Sequence, residues 1–270
     1  MRRVVSSLPA REAEVGGLSV LRALPRRALR RVGPFVFADH FRSPAEVPLD
    51  VPAHPHVGLQ TVTYLFSGGL RHRDSEGFDQ EIRPGDVNWM TSGRGIVHSE
   101  VSIPGSGPLH GFQTWVALPA SSRRTQPTFR HHLAASLPSD GPLRVLAGSS
   151  GALVSPIPTF SAVTLLEVVL PPGGATTIET QPGEELAVYA VDGEVAVGGS
   201  VVRAGTLAML SEGTAVLLEA PAGGRAMVLG GAPLPDPVVT YWNFVVDSVD
   251  EGRVLEADWN EGRFPISWRG

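Results

Sequence analysis

His54 to Glu100 reads HPHVGLQTVTYLFSGGLRHRDSEGFDQEIRPGDVNWMTSGRGIVHSE. The stretch opens on His54-Pro55-His56 and closes on His98-Ser99-Glu100. Residues two apart on a strand point to the same face, so each pair can aim two ligand-type side chains at one place. The interval between the pairs is written for strands and turns. Thr61 to Phe66 is β-branched and aromatic, and Gly68-Gly69 permits a reversal. Arg83-Pro84-Gly85-Asp86 is a turn leading into Val87-Asn88-Trp89-Met90. If these strands close into a small β-barrel, three imidazoles and one carboxylate meet at one point.

The rest of the chain has the same texture. Its 270 residues exceed one ordinary domain, and two are the expectation. With 31 Gly, 24 Pro and only 18% charged residues, the composition suits many short strands and tight turns, an all-β class. A hydrophobic content of 42% supplies a core for each domain. After a connector around Arg130 to Pro142, with a helical turn expected at His131 to Ser136, the strand rhythm restarts at Leu143. Strands are expected at Val163 to Leu170, Leu186 to Val191, Gly193 to Val197, Thr206 to Leu210 and Ala215 to Glu219, with Asp192-Gly193 read as a turn.

Thr63 to Gly69 resembles Val188 to Glu194, and Arg83 to Val87 resembles Arg203 to Leu207. The similar segments fall at matching places in each half, which implies two copies of one barrel. The copies differ chemically. No His follows His132, and the expected lining of the second barrel is Val, Ala, Leu and Thr. A metal held by the first barrel therefore cannot be held by the second in the same way. We expect a first domain over residues 1–128, a second over 140–232, and a tail over 233–270. The tail is rich in aromatics as far as Trp268 and must pack back on the body. A short helix is expected at Val249 to Glu256, with Ser248 as its N-cap.

A net charge of -5 gives no general attraction to nucleic acid or anionic membranes. Every basic side chain is Arg, and Arg22, Arg26, Arg27, Arg30 and Arg31 crowd one segment. That segment is read as a solvated lead-in to the fold, or as a docking patch for an acidic partner. The absence of Cys excludes disulfides, thiolate ligands and a Cys nucleophile. No apolar signal region and no membrane-spanning run are visible, and a cytoplasmic location is the expectation.

One H-x-H is a weak signal, but a second pair in phase with it after an all-β interval is a stronger one. Imidazoles with a carboxylate suit Fe, Mn, Ni, Cu or Zn without selecting among them. On an octahedral ion, four protein ligands leave two positions open for water, O2 or a chelating substrate. On a tetrahedral zinc the same four would close a purely structural site.

VGPFVFADHF, HPHVGLQTVTYL, HRDS, RPGDV, WMTSGRGIVHSE and LHGFQTWVALP, together with GGAPLPDPVVTY near the end, resemble the pirin family of bicupins. The resemblance spans nearly the whole chain and is densest from Val32 to Leu118. It implies two tandem cupin β-barrels with a C-terminal segment packed on the body, metal in the first and none in the second. It also implies that the metal, usually Fe(II), sits on His54, His56, His98 and Glu100. The family commonly writes HPHRGxE where this chain has Val57 and Gln60, which predicts a less charged pocket mouth.

Two functions follow from the resemblance. The first is a metal-dependent dioxygenase that cleaves a flavonol such as quercetin with O2, releasing carbon monoxide, with Glu100 accepting the substrate proton. The second is a metal-dependent regulator that binds a metabolic enzyme or transcription factor. Further polar candidates have open roles. Gln113 and Trp115 share a strand face, His110 lies on the opposite one, Asp39-His40 can orient an imidazole or cap a loop, and His72 faces pocket or solvent.

Overall fold

Strand pairing follows the alternation in the sequence. In the computed structural model, which describes residues 1–44 and 47–266, almost all regular structure is antiparallel β. The backbone divides into two units. One comprises Glu12–Val20, Val36–Ala134 and the chain from Leu234, and the other Met1–Arg11, Leu21–Phe35 and Ala135–Pro233. The start of the chain is therefore not part of the first barrel, as a boundary at residue 1 would have it. Val4–Pro9 pairs antiparallel with Thr206–Leu210, and its backbone hydrogen bonds are satisfied there.

The unit holding His54 to Glu100 has a four-stranded sheet in the order Asp50–His56, Ile96–Ser102, Leu70–Asp74, Asp79–Ile82. Its larger sheet includes, side by side, Thr128–His132, Val87–Thr91, Leu59–Ser67, Leu109–Ala117 and Phe35–Ser43. Buried Leu18, Val20, Phe41, Leu65, Leu70 and Ile82 form one cluster of its core. The expected helical turn at His131 to Ser136 resolves into the end of the Thr128–His132 strand and a 3-10 turn at Ala134–Ser136.

The tail adds to this same unit. Val239–Tyr241 and Phe244–Val246 form a hairpin, followed by a helix over Val249–Asn260, longer than its expected span. Ser248 caps it, its hydroxyl accepting from the Glu251 amide at 3.1 Å. Phe244 bridges Val57, and the Val245 amide donates to the Val57 carbonyl at 2.8 Å. This approach needs Gly58: its φ is +73°, and a Cβ there would stand 2.0 Å from the Val245 oxygen. Trp268 lies outside the described residues.

In the other unit, Leu166, Val168, Leu186, Val188, Val228 and their neighbours fill the interior. The expected turn at Asp192-Gly193 is absent. Glu185–Val197 runs as one strand of 13 residues, with a register shift between Ala190 and Asp192 in its pairing with Gly224–Gly231. Val191 is the extra residue, a bulge, and Gly193, at φ +68°, resumes the pairing opposite Gly224. Arg2 is buried beside this barrel, donating to Thr180 Oγ1 at 3.0 Å and to the Glu184 carbonyl at 2.8 Å.

Candidate metal centre

Register brings the two sequence pairs together. The Asp50–His56 and Ile96–Ser102 strands are antiparallel neighbours, with His98 opposite His54 and Ile96 opposite His56. On the other side of Ile96–Ser102, Asp74 lies opposite His98 and His72 opposite Glu100. Period-two alternation turns His98 and Glu100 to one face. The rings of His54, His56 and His98 gather with centroids 4.4 to 5.0 Å apart.

One nitrogen of each of these three rings lies within 4.8 Å of the others, close enough to share an ion. Glu100 is not in that set. It groups instead with His98 and His72, again within 4.8 Å, so His98 belongs to both groups. Thr63 holds the Glu100 carboxylate, its hydroxyl donating to Oε1 at 2.8 Å. His56, His98 and Glu100 are buried, while His54 is partly exposed at the edge.

The donor set fits a divalent cation. His54 Nδ1 donates to the Pro52 carbonyl and His56 Nδ1 to the Asn243 carbonyl, both at 2.9 Å. Each bond fixes the tautomer that leaves Nε2 with a free lone pair, the arrangement usual for metal-bound imidazoles. His98 Nε2 is buried and has no hydrogen-bond partner among the described residues. Burial costs such an atom free energy unless something pairs with it, and an ion at the cluster would do so. Burial, reinforced by neighbouring imidazoles, holds His56 and His98 well below the usual imidazole pKa. His54 is also lowered, chiefly by desolvation. His56 and His98 therefore present lone pairs at neutral pH without first losing a proton.

A cavity opens over the cluster. It has a volume of about 70 Å³. Phe37 and Trp115 stack at 4.1 Å and 14° along one wall, and Val51, Leu49 and Leu70 add apolar surface. Asp39 and Gln113 are polar groups in its lining, and Gln113 shares the Trp115 strand face as its spacing implied. His40 is directed away from the ligands, pairing with His110 through Nε2 atoms 2.8 Å apart. Val57 and Gln60 do not form the mouth. Both are buried outside the cavity lining, Val57 under the tail and Gln60 donating to Thr91 Oγ1 at 2.8 Å. The change from the family pattern alters the support beneath the site, not the charge at its entrance.

Three contributors escaped the sequence reading. The Asn243 carbonyl is a main-chain group 187 residues beyond His56 and has no side-chain signature. Thr63 looked like an ordinary β-branched strand residue. Asp74 sits beside His72 in HRDS, two positions on, and that spacing was the available signal.

The pirin family model matches residues 17–116, and the model of the pirin C-terminal cupin domain matches residues 165–265. A pirin-like protein of Caulobacter vibrioides is 38% identical, the alignment covering 95% of this chain and 93% of that one. Human pirin is 31% identical over 93% of this chain and 89% of its own. The crystal structure of quercetin 2,3-dioxygenase from Acinetobacter baumannii superposes with a TM-score of 0.92 at 32% identity, covering 98% of this chain and 91% of that one. Two β-barrels, an imidazole cluster in the first, and relatives aligned along nearly the whole length lead to one conclusion: the chain belongs to the pirin family of bicupins.

Proposed function

We propose that the chain is a metal-dependent dioxygenase that cleaves flavonols such as quercetin, with a divalent ion, Fe(II) first among the candidates, held by His54, His56, His98 and Glu100. The observation that carries the reading is the buried, partnerless His98 Nε2 at the floor of an apolar-walled cavity. The ion would supply Lewis acidity to a coordinated oxygen. The relation to a quercetin 2,3-dioxygenase structure supports the substrate class.

The chain's own residues supply binding, orientation and proton transfer. The Phe37–Trp115 stack and the aliphatic wall suit a planar aromatic ligand and exclude water from the floor. Gln113 and Asp39 offer polar contacts to ring hydroxyls. Glu100 uses Oε1 to accept from Thr63, leaving Oε2 for the ion or for a substrate hydroxyl proton. Its separation from His54 and His56 favours this double use: it belongs with His98 and His72, outside the three-imidazole set.

Iron-loaded protein is expected to consume O2 when quercetin is added. Glu100→Gln should lower turnover by roughly 100-fold, within the range of lost general-base catalysis, while lowering metal content much less. Absence of flavonol-dependent O2 uptake would overturn the enzymatic reading. Equal losses of metal and turnover would remove only the proton-acceptor role.

A second reading, a regulatory protein that binds an acidic partner, is favoured by one feature. Arg11, Arg26, Arg27 and Arg30 surround a cleft of about 630 Å³ with no carboxylate in its lining.

A further inference from the structure

His98 is the only one of the three clustered imidazoles whose Nδ1 does not donate to a backbone carbonyl; it meets another imidazole. His98 Nδ1 and His72 Nδ1 are 3.3 Å apart, and His72 Nε2 is 3.0 Å from Asp74 Oδ2. His72 and the Asp74 side chain are buried, and the His72 ring stacks on Phe129 at 4.3 Å and 17°, which fixes its plane. The other Asp74 oxygen, Oδ1, accepts from the Glu76 and Phe78 amides at 3.0 and 3.1 Å. The strand alternates, so Arg71 and Arg73 turn outward to Asp79 while His72 and Asp74 turn inward.

The donor and acceptor roles follow along the chain of contacts. A carboxylate only accepts, so His72 Nε2 carries a proton toward Asp74. Two Nδ1 atoms facing each other need one donor and one acceptor. If His72 accepts, His98 carries its proton on Nδ1 and its Nε2 is a bare lone pair, the atom that has no partner among the described residues. Both nitrogens of His72 are then engaged, so it is not itself a ligand although it lies within reach of one.

We propose that Asp74 and His72 form a tautomer relay that holds the His98 proton on Nδ1 and thereby keeps its Nε2 lone pair directed at the metal. Asp74 and His72 are positioning residues in this scheme, acting through His98. The proposal rests on the metal-centre reading given above.

Asp74→Asn reverses the relay. An amide has one oxygen, and keeping the Glu76 and Phe78 bonds turns its NH2 toward His72. His72 Nε2 must then accept, its proton moves to Nδ1, and His98 must accept there and carry its proton on Nε2, where the metal would bind. His72→Phe removes the relay while keeping a ring against Phe129.

The test uses the full chain in two arms. Long-range 15N–1H NMR of metal-free protein should find His98 protonated on Nδ1 and His72 on Nε2 in the wild type, with both exchanged in Asp74→Asn. Zn(II) affinity, measured by chelator competition, should fall about 10- to 100-fold in Asp74→Asn and in His72→Phe, the range for lost outer-shell partners. Adding Asp74→Asn to His72→Phe should cost nothing further, whereas a merely structural Asp74 would add its own loss. The relay is overturned if wild-type His98 carries its proton on Nε2, if His72 is doubly protonated, or if Asp74→Asn binds Zn(II) as tightly as wild type. The NMR arm needs no metal, so it judges the relay by itself. A wild-type chain that takes up no Zn(II) overturns the metal reading.

Discussion

His98→Ala is expected to cut metal affinity by more than about 100-fold, beyond the loss for an outer-shell partner, so that the purified chain is nearly metal-free. His98 is chosen because both ligand-type groups contain it, one with His54 and His56 and one with His72 and Glu100. Its removal leaves neither group with three donors. His110→Ala is the control: that imidazole is also buried but pairs with His40 outside the ligand set. Metal analysis of the two variants beside wild type decides the matter. Equal metal in all three would place any bound ion elsewhere.

Arg123→Ala should have the largest effect on stability, and it should reach the metal indirectly. The Arg123 side chain is 3% exposed and pairs with Asp247. It also donates to the carbonyls of Pro237 at 2.7 Å, Leu118 at 3.3 Å and Val246 at 3.5 Å. Truncation leaves a cavity and buried carbonyls short of a partner, a cost on the order of 3 kcal/mol or more. That is a large share of the roughly 5–15 kcal/mol that holds a domain folded. The same guanidinium ties down the tail segment that carries Asn243, whose carbonyl orients His56. Urea unfolding should detect the lost stability. In the fraction that remains folded, metal affinity should fall by about 10-fold through the slackened His56 bond. A stable variant with unchanged affinity would mean that the tail does not support the site.

The barrels and the imidazole cluster were legible because both depend on period two. H-P-H and H-S-E put their ligand types on one strand face, and strand pairing needed only to bring the faces into register. What stayed hidden depends on main-chain groups and on partners remote in sequence. The Asn243 carbonyl cannot be read from a residue name, and Val4–Pro9 looks the same whichever barrel it joins. Asp192-Gly193 carries a turn signature, but the strand continues through it, bulging just before it at Val191. Val57 directly follows His56, and one-residue alternation puts it outside the cavity, while Gln60 lies on the next strand and is turned to Thr91. His72 was ambiguous alone, and only its spacing from Asp74 and its register with Glu100 give it a place.

A metal ion is expected in the first barrel, held by His54, His56, His98 and Glu100. Anomalous diffraction from crystals of the purified protein, recorded on either side of the absorption edges of Fe, Ni, Cu and Zn, tests it most directly. One strong peak per chain is expected, roughly 2.0–2.2 Å from Nε2 of His54, His56 and His98 and from a Glu100 oxygen. A peak ligated by His72 in place of His54, a peak in the second barrel, or no peak at the cluster in protein that carries metal would contradict it.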